Sequence, residues 1–473
     1  MKWEIKIENF LGGYAPAYHQ STYPSYGNKN MAGGMRNVNL INPSCITQGL
    51  GLSTIGDEDS NVLTLIRSIL DKAVSSDSTY AIGGEYVYPI SSTAVSTPHE
   101  ITGTSVVGED IKEFRSNIYY TYNNSTAGNI GKYNLSTYDD DWGSTVPANA
   151  TTLQKGVPHP IITSGRFFYV GNGYYVTSFD ADTGADGTLI EQDLDLPHDE
   201  EISSLSLAGN TLYIASNNSG LSGSNKSIGS IYKWDRNSSS WNDDSIHGLG
   251  KVGGTFVKDG VVFVFHQDIG SSAYKLGYVN GGQVSDVTSF TGSLPEYYQI
   301  TEYKNFIAWV SGEYIHLWGS THPKIETLHF QPMDGGFTTV GGIAVPFGDL
   351  LVASNQTTSY KLAKSSGYET NSYWKSLFFD SSGGTMGKSL IDKVMVSFET
   401  LAAEARVDLT LNCDMGTSSS TKTISYDNDG AITQKIWSPN KEAKNFRLEF
   451  DWSEGNATNP VSIRSCLIQG HSL

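Results

Sequence analysis

The sequence predicts an all-β protein: a seven-bladed β-propeller followed by a C-terminal β-sandwich, with an irregular N-terminal arm and one short helix. Three observations lead to this fold class. Gly (50), Tyr (27) and Phe (18) are abundant and only 17% of the residues are charged, which is typical of short strands joined by tight turns. A hairpin-like unit recurs through the middle of the chain. Beyond residue 370 this repeat gives way to a different series of strands.

The recurring unit is a short strand, a tight turn and a strongly apolar strand. Its clearest copies are IITSGRFFYVG (161–171), ISSLSLAGNTLYIAS (202–216), GGTFVKDGVVFVF (253–265), ITEYKNFIAWVS (300–311) and GIAVPFGDLLVAS (342–354), and fainter copies are SSDSTYAIGG (75–84) and EDIKEFRSNIYYTY (109–122). The equivalent turn residues are Ser78, Asn117, Gly165, Asn210, Gly260, Asn305 and Asp349. Their spacing of about 40 to 50 residues is that of a four-stranded propeller blade, and a β-solenoid would have a shorter period.

These patterns divide the chain into four predicted regions. Residues 1–60 are rich in Gly, Asn, Pro and Tyr and show no period, so they are expected to be disordered or, preferably, an arm that orders against a partner. Residues 61–76 place apolar side chains on one helical face, with Ser60 or Asn61 as the N-cap. Residues 77–370 form the propeller. Its ring is closed either by the segment before the first blade or by the segment after the seventh.

The fourth region, residues 371–473, is predicted to be the sandwich. Its expected strands are SYWKSLFFD (372–380), IDKVMVSFETL (391–401), RVDLTLNCD (406–414), KTISYD (422–427), ITQKIWS (432–438), NFRLEFDWS (445–453) and VSIRSCLIQG (461–470). Six or seven short strands in about 100 residues are typical of two packed antiparallel sheets.

The formal net charge of −18 argues against nucleic-acid or anionic-membrane binding by the whole surface, because such a surface repels phosphate. No segment has the pattern of a signal peptide or of a membrane-spanning helix, so neither export by the Sec route nor membrane insertion is expected. Cys45, Cys413 and Cys466 lack metal-ligand spacing, and we expect buried thiols made in a reducing cytoplasm.

Two acidic segments resemble known loop motifs only in part. Asp180, Asp182, Asp186 and Glu191 have some of the spacing of a calcium loop, but Gly184 stands where a ligand is expected and Ala185 where the turn needs Gly. A hairpin stabilised by Asx-turn hydrogen bonds is therefore preferred. The same interpretation applies to Asp427, Asp429 and Gly430, which match an Asp-box hairpin loosely.

No residue is assigned a catalytic, cofactor-binding or metal-binding role. The acids available for glycoside hydrolysis are Asp139, Asp140, Asp141, Glu200 and Glu201, which we expect to be solvated on surface loops. The arginines that could bind a substrate carboxylate in this region are only Arg115, Arg166 and Arg236. His159, His198 and His322 adjoin prolines and are expected in loops. No zinc-protease, nucleophile-elbow or nucleotide-binding motif is present.

The N-terminal run from Asn9 to Ile55, NFLGGYAPAYHQSTYPSYGNKNMAGGMRNVNLINPSCITQGLGLSTI, resembles the opening arm of bacteriophage tail propeller proteins. The C-terminal segments SYWKSLFFD, KSLIDKVMVSFETL and NFRLEFDWSEGNATNPVSIRSCLIQ resemble the sandwich that ends many of them. The resemblance implies a non-enzymatic virion structural protein, such as a ring-forming tail or nozzle component that makes contacts through its arm and its sandwich. It also implies other tail proteins as partners, a homo-oligomer whose sixfold symmetry would suit a tail, no cofactor, and synthesis in the host cytoplasm. The alternatives are a receptor- or carbohydrate-binding propeller at the tail tip and, less favoured, a glycoside hydrolase.

Overall fold

The structure is a computed structural model. It describes residues 2–7, 10, 20–21, 32–36, 38–39, 45–58, 63–75, 77–218, 228–312, 314–322, 325–332, 337–356, 359–368, 372–380, 388–453, 455–456 and 458–473. The described residues form strands almost throughout, which confirms the all-β expectation. Their helices are one-turn segments at Trp142–Thr145 and Tyr426–Asp429 and 3₁₀ turns at Tyr297–Gln299 and Asp414–Gly416. None of these helices is long and apolar enough to cross a membrane.

Seven four-stranded antiparallel sheets occupy the middle of the described chain, and we number them in chain order. The strands of sheets 1 to 3 are Ser68–Ile69, Ser78–Gly83, Tyr86–Ser91 and His99–Glu100; Val107–Phe114, Asn117–Asn123, Gly128–Tyr133 and Tyr138–Asp139; and Ile161–Ser164, Phe167–Asn172, Tyr175–Asp180 and Thr188–Asp195. The strands of sheets 4 and 5 are Glu200–Ala208, Thr211–Asn218, Gly229–Trp234 and Ile246–Leu249; and Lys251–Lys258, Val261–Gln267, Ala273–Asn280 and Gln283–Thr291. The strands of sheets 6 and 7 are Ile300–Tyr303, Phe306–Ser311, Tyr314–His322 and Ile325–Pro332; and Phe337–Ala344, Leu351–Gln356, Ser359–Tyr368 and Leu50–Asp57.

The sheets are arranged as a closed ring. The first strand of each sheet contacts the first strand of the next, and the first strand of sheet 7 contacts that of sheet 1. Each turn residue identified in the sequence lies at or beside the connection between the first two strands of a different sheet. Consecutive antiparallel sheets around a common axis are the architecture of a β-propeller, so the repeat in the sequence predicted this architecture.

The ring is closed by the N-terminal segment. The strand Leu50–Asp57 forms the outer edge of sheet 7 by pairing antiparallel with Ser359–Tyr368, so that Ala363 faces Thr54 and Lys364 faces Ser53. The open question of which segment closes the ring is thus answered: sheet 7 contains strands from both sides of the first six sheets. Closing the ring in this way covers an edge that would otherwise be unpaired.

Two larger sheets follow the ring and share one apolar core. The five-stranded sheet contains Lys2–Ile7, Ile463–Ser472, Ser389–Phe398, Gln434–Trp437 and Lys441–Ala443. The seven-stranded sheet contains Gln20–Ser21, Phe378–Asp380, Asn445–Asp451, Tyr373–Ser376, Ala32–Arg36, Arg406–Cys413 and Ser418–Ser425. Burial alternates strictly along Arg406–Cys413 and, apart from an irregularity at Asp392 and Lys393, along Ser389–Phe398, so one face of each strand points into this core. We call these two sheets the two-sheet unit.

The interpretation of residues 1–60 as an irregular arm that orders against a partner is wrong for the part that the structure describes. Lys2–Ile7 pairs with Ile463–Ser472, Gln20–Ser21 pairs parallel with Phe378–Asp380, and Ala32–Arg36 pairs with Tyr373–Ser376. Val38–Asn39 and Thr47–Gln48 pair with each other. The first three of these strands show no local period because their partners lie hundreds of residues away along the chain. Most of residues 8–31 lies outside the described residues.

The predicted helix over residues 61–76 is also wrong. Residues 63–75 contain the strand Ser68–Ile69, and the helix cap and Val62 lie outside the described residues. Ile66 and Ile69 pack in a cluster with sheet 7, whereas Leu70 packs in a cluster with sheet 2. A strand covered on both faces by neighbouring sheets needs apolar residues on both faces. Burial by sheets on both sides explains why the apolar residues of this segment have a spacing that resembles one face of a helix.

Candidate functional site in the axial cavity

A cavity of about 290 Å³ lies where the first strands of the seven sheets meet. Every sheet contributes to its lining, from Ser68 and Ile69 of sheet 1 to Ile343 of sheet 7. The volume is at the lower end of the roughly 300–1,000 Å³ of ordinary ligand pockets. Because strands of all seven sheets position most of its wall, this cavity is the candidate site considered for a small ligand.

Asp110 is the most deeply buried charged residue of the cavity wall, with 1% of its surface exposed. Its Oδ1 accepts hydrogen bonds from the Ser68 hydroxyl at 2.7 Å and from its neighbour's backbone N–H (Ile111) at 2.8 Å, and its Oδ2 accepts from the Ile161 N–H at 2.7 Å. One carboxylate therefore joins sheets 1, 2 and 3. Burial raises the pKa of Asp110, although these hydrogen bonds and Lys112 oppose the rise.

Lys112 lies two residues further along the same strand and brings an ammonium group to the cavity. Its Nζ is 3.9 Å from Asp110 Oδ1 and 3.7 Å from Asp71 Oδ2, and 28% of its side chain is exposed. Burial alone would lower the pKa of Lys112, but the two carboxylates raise it above its ordinary value. The ammonium is therefore charged. Both ion-pair distances exceed the usual N–H···O hydrogen-bond range.

The opposite wall of the cavity is mainly apolar. Half-buried side chains of Ile162, Leu207, Phe256 and Val257 line it. Between them, buried hydroxyls connect sheets 4 and 5: Thr255 Oγ1 lies 2.6 Å from Ser206 Oγ and 2.9 Å from Ser204 Oγ. The cavity thus combines apolar walls with a few fixed polar groups, which is the usual composition of a small-molecule site.

A second polar group borders the cavity next to Tyr297 and Tyr298. Arg67 Nη1 lies 2.6 Å from Glu109 Oε2, and the Arg67 guanidinium lies 5.6 Å from the centre of the Tyr298 ring. Tyr297 donates a hydrogen bond of 3.0 Å to the Glu109 carbonyl oxygen. Burial raises the pKa of Glu109 and Arg67 opposes that rise. These contacts fix the two tyrosines.

The three consecutive acids 139–141 have different environments. Asp139 and Asp141 are exposed, as expected, but the expectation of a solvated side chain is wrong for Asp140, of whose side chain 9% is exposed. Asp140 accepts hydrogen bonds from His99 Nε2 at 2.9 Å, from the Thr102 N–H at 2.8 Å and from the Tyr120 hydroxyl. Burial opposes ionisation, yet these donors lower the pKa of Asp140 to about 2. Asp140 thereby joins sheets 1 and 2.

Glu200 and Glu201 are half-buried rather than solvated and lie far along the chain from the other acids. Glu200 Oε2 accepts a hydrogen bond of 2.7 Å from Ser216, and its Oε1 accepts longer bonds from Ser230 and Tyr232. Burial raises the pKa of Glu201, and Lys251 of sheet 5 opposes the rise. Of the carboxylates predicted as the pool for hydrolysis, Asp140, Glu200 and Glu201 therefore interact within or between sheets, whereas Asp139 and Asp141 are exposed.

The three arginines noted in the sequence all contact residues of sheet 3 or of its turns, which their spacing did not predict. Arg115 Nη1 is 2.6 Å from Asp182, Arg166 Nη2 is 3.3 Å from Asp180, and Arg236 donates to Ser164 Oγ at 2.6 Å. The Asx turn is confirmed, because Asp180 Oδ1 accepts the Asp182 N–H at 3.0 Å.

The two remaining acids of the partial calcium motif, Asp186 and Glu191, are exposed. Across the described ranges, no group of three or more His, Cys, Asp or Glu residues is arranged to hold a metal ion.

The acidic segment near residue 427 forms one helical turn, Tyr426–Asp429, and the expected hairpin is wrong. The Ser425 side chain accepts the Asn428 N–H at the start of this turn, and Gly430 ends it with a φ of 71°. Asp429 pairs with Lys435, so it supports the connection between two strands of the two-sheet unit.

The histidines beside prolines have separate structural roles. His159 lies in the loop before sheet 3, as predicted. It is fully buried, and its ring nitrogens lie 2.9 and 3.0 Å from the carbonyl oxygens of Gly171 and Gln154. Burial lowers its pKa to about 4. His198 lies in the loop before sheet 4 and packs on Tyr174. His322 ends the strand Tyr314–His322, where a loop was expected, and its side chain lies outside the described residues.

The expectation of buried thiols is confirmed. Cys45, Cys413 and Cys466 are buried, and burial raises the pKa of both Cys413 and Cys466. A thiol with a raised pKa is a poor nucleophile at neutral pH.

The residues of the axial cavity were missed by sequence reasoning. Asp110 and Lys112 belong to EDIKEF, a faint copy of the repeat, and charged residues at alternate positions of its first strand were the available signal. The copies at 202–207 and 253–257 carry Ser or Thr there. Asp71 could not be placed, because its segment was interpreted as a helix.

No known protein family and no curated protein matches this sequence. Among solved structures, the chain is similar to the computationally designed Ika8 protein (TM-score 0.41, 13% identity, covering 63% of this chain and 96% of that one). It is similar to the Cps50 (Swd1) β-propeller domain of Myceliophteria thermophila (0.41, 11%, 66% and 99%). It is also similar to an exo-β-1,3-galactanase of Phanerochaete chrysosporium with galactose (0.32, 8%, 69% and 98%). Similarity at this level gives no residue of this chain a role.

Proposed function

We propose that this chain is a non-enzymatic structural component of a tailed-phage virion, a ring-forming tail or nozzle protein. In this proposal the seven four-stranded sheets are the seven blades of one propeller, and the two-sheet unit is its terminal sandwich. The single observation that carries the non-enzymatic part is the use of the buried carboxylates. Asp110 joins three sheets and Asp140 joins two, so the side chains best suited to catalysis stiffen the scaffold instead.

The contact surface is assigned to the two-sheet unit rather than to the arm. Lys2–Ile7 is an edge strand of the two-sheet unit, paired with Ile463–Ser472, so it belongs to that unit and is not a separate arm. The strand Gln434–Trp437 pairs on one side only, with Ser389–Phe398, among the described residues. It presents Ile436, of which 51% is exposed. An edge strand with an exposed apolar side chain is a place where another copy or a tail partner can add.

The test is to purify the full chain and examine it by negative-stain microscopy and mass photometry, beside mass spectrometry of the particles that encode it. We expect closed oligomeric rings made of several copies of the chain, and a stoichiometric amount of the protein in virions. Ile436→Asp should weaken assembly of the oligomeric ring and leave the melting temperature of the chain unchanged. Ile269→Asp, at a 58% exposed residue of the sheet 5 turn, is the matched control and should leave the rings intact. Absence of the protein from purified virions would contradict the proposal.

The second candidate function is a receptor- or carbohydrate-binding propeller at the tail tip, and the axial cavity favours it. The glycoside hydrolase alternative needs two accessible carboxylates beside the bond to be cleaved. Asp71 is 58% exposed at its side chain, but Asp110 is 1% exposed and accepts three hydrogen bonds. One accessible acid is suited to binding rather than to that reaction.

A further inference from the structure

We infer that the axial cavity binds one neutral pyranose, with Asp71 and Lys112 holding neighbouring hydroxyl groups and Phe256 contacting the ring face. The inference rests on the second candidate function and names its ligand class and its residues. It does not depend on whether the protein forms a ring in a virion.

The polar half of the cavity is complementary to a pair of neighbouring hydroxyls. A carboxylate accepts hydrogen bonds and an ammonium donates them, whereas each sugar hydroxyl does both. Lys112 Nζ and Asp71 Oδ2 are 3.7 Å apart, which leaves room for the ammonium to donate to one hydroxyl while Asp71 accepts from the next. Asp110 already accepts three hydrogen bonds. It holds Lys112 in place and is not itself a ligand-binding group.

The apolar half of the cavity is complementary to the C–H face of the sugar ring. Ile162, Leu207, Phe256 and Val257 line it and are half-buried. The volume of about 290 Å³ is at the lower end of the roughly 300–1,000 Å³ of ordinary ligand pockets. That space suits a single ring rather than an extended chain.

The local charge selects against an anionic ligand. Asp71 and Asp110 carry two negative charges against the one positive charge of Lys112. A ligand carboxylate placed near Lys112 would also lie near the two carboxyl groups 3.7 and 3.9 Å from that ammonium, so repulsion from the acids offsets the attraction to Lys112. A neutral sugar avoids this cost and still satisfies the donors and acceptors.

The experiment is calorimetry and ligand-observed NMR on the full chain with D-glucose, D-galactose and N-acetyl-D-glucosamine. At least one of them should bind, and D-glucuronate should bind more weakly than D-glucose. Lys112→Met and Asp71→Asn should each weaken binding at least tenfold. Lys251→Met, at an exposed lysine that begins the first strand of sheet 5, should leave the affinity unchanged.

Three results would overturn the inference: no binding of any of the three neutral sugars, unchanged affinity in both cavity variants, or preferential binding of D-glucuronate. Because Lys112→Met also removes the nearest cation from the buried Asp110, Asp71→Asn repeats the test at an exposed side chain. The melting temperature of each variant separates loss of binding from loss of folding. A failure here leaves the virion test unaffected, because that test measures assembly and composition.

Discussion

The ring and the two-sheet unit are both built mainly from antiparallel strands, yet they are assembled from the chain in opposite ways. Sheets 1 to 6 are each made from one continuous stretch, and only sheet 7 borrows a distant strand, Leu50–Asp57. The two-sheet unit takes Lys2–Ile7, Gln20–Ser21 and Ala32–Arg36 from the beginning of the chain and its remaining strands from beyond residue 372. The ring can be recognised in the sequence because its strands pair locally. The two-sheet unit cannot form without strands from distant parts of the chain.

The largest expected effect is that of truncation. Deleting residues 2–58 removes the closing strand of sheet 7 and three strands of the two-sheet unit, so we expect no cooperative unfolding transition in calorimetry. Deleting residues 2–9 removes only Lys2–Ile7 and the burial of Ile5 and Ile7, worth about 1.5–3 kcal/mol each. The shorter deletion should destabilise the two-sheet unit alone. A fully stable protein without residues 2–58 would contradict the pairing.

The next largest effect is expected from replacing a buried tryptophan, and the ring and the two-sheet unit each contain one suitable for this test. Trp309 in the ring donates to the Tyr274 hydroxyl at 2.9 Å, and Trp452 in the two-sheet unit donates to the Val461 carbonyl oxygen at 3.0 Å. Both are 0% exposed. Replacing either with Ala should cost about 3–5 kcal/mol of unfolding free energy. Two calorimetric transitions, each lowered by one variant only, would assign the regions, and equal lowering of a single transition would mean one cooperative unit.

The comparison also shows what the sequence could and could not predict. The turn residues from Ser78 to Asp349 recur because every sheet uses the same first hairpin. The strands beyond residue 371 were visible through their alternation. Ser68–Ile69 was mistaken for a helix because sheets on both sides bury it, and Lys2–Ile7 could not be placed because its partner, Ile463–Ser472, is at the other end of the chain.

The axial cavity was unpredictable for a related reason. Asp71, Lys112 and Phe256 belong to three different sheets or connections and meet only when the ring closes. Arg115 and Arg236 likewise contact sheet 3 from the two neighbouring sheets, which their spacing in the sequence does not reveal. A repeat indicates which strands are equivalent, but it does not show which alternate residues face the axis.

A smaller expected effect is a loss of folding stability at acidic pH, and the histidines responsible for it lie in the ring. Burial lowers the pKa of His159 to about 4 and that of His316 to about 3, below the unfolded value of about 6.5. The unfolded chain therefore takes up protons first as the pH falls. Stability is fully present above pH about 6.5 and is lost towards pH 4, by about 2–3 kcal/mol per histidine at pH about 4.5.

This pH effect is measured by melting the protein between pH 7 and 4.5. His316→Phe should reduce the loss of ring stability on acidification, because Phe fits beside Trp309 and Phe290 without a titrating group. His471→Gln is the control in the two-sheet unit, where His471 is 40% exposed at its side chain, and should change nothing in the ring. An unchanged pH dependence of the melting temperature in His316→Phe would contradict the assignment of this loss of stability to His316.

The smallest effect distinguishes two surface ion pairs. Arg115→Ala should leave the melting temperature of the ring unchanged, because its pair with Asp182 is solvated and such pairs contribute little. Arg447→Ala should cost about 1 kcal/mol in the two-sheet unit. Its partner Glu449 is only 15% exposed, and Arg447 lies 4.9 Å from the centre of the Phe378 ring, closer than the 5.7 Å between Arg115 and the Phe114 ring. A larger loss for Arg115→Ala would show that the arginines of the ring surface are structurally coupled.

Closure of the ring by an N-terminal strand is the claim on which the whole account depends, and a disulfide cross-link tests it most directly. Thr54 and Ala363 face each other across the closing pair, so Thr54→Cys with Ala363→Cys should form an intramolecular disulfide on oxidation. Thr54→Cys with Ser359→Cys, four residues out of register, should not. A cross-link in the first pair, found by peptide mass spectrometry in a monomer of unchanged fold, is the predicted result; its absence, or equal cross-linking of both pairs, would contradict the account.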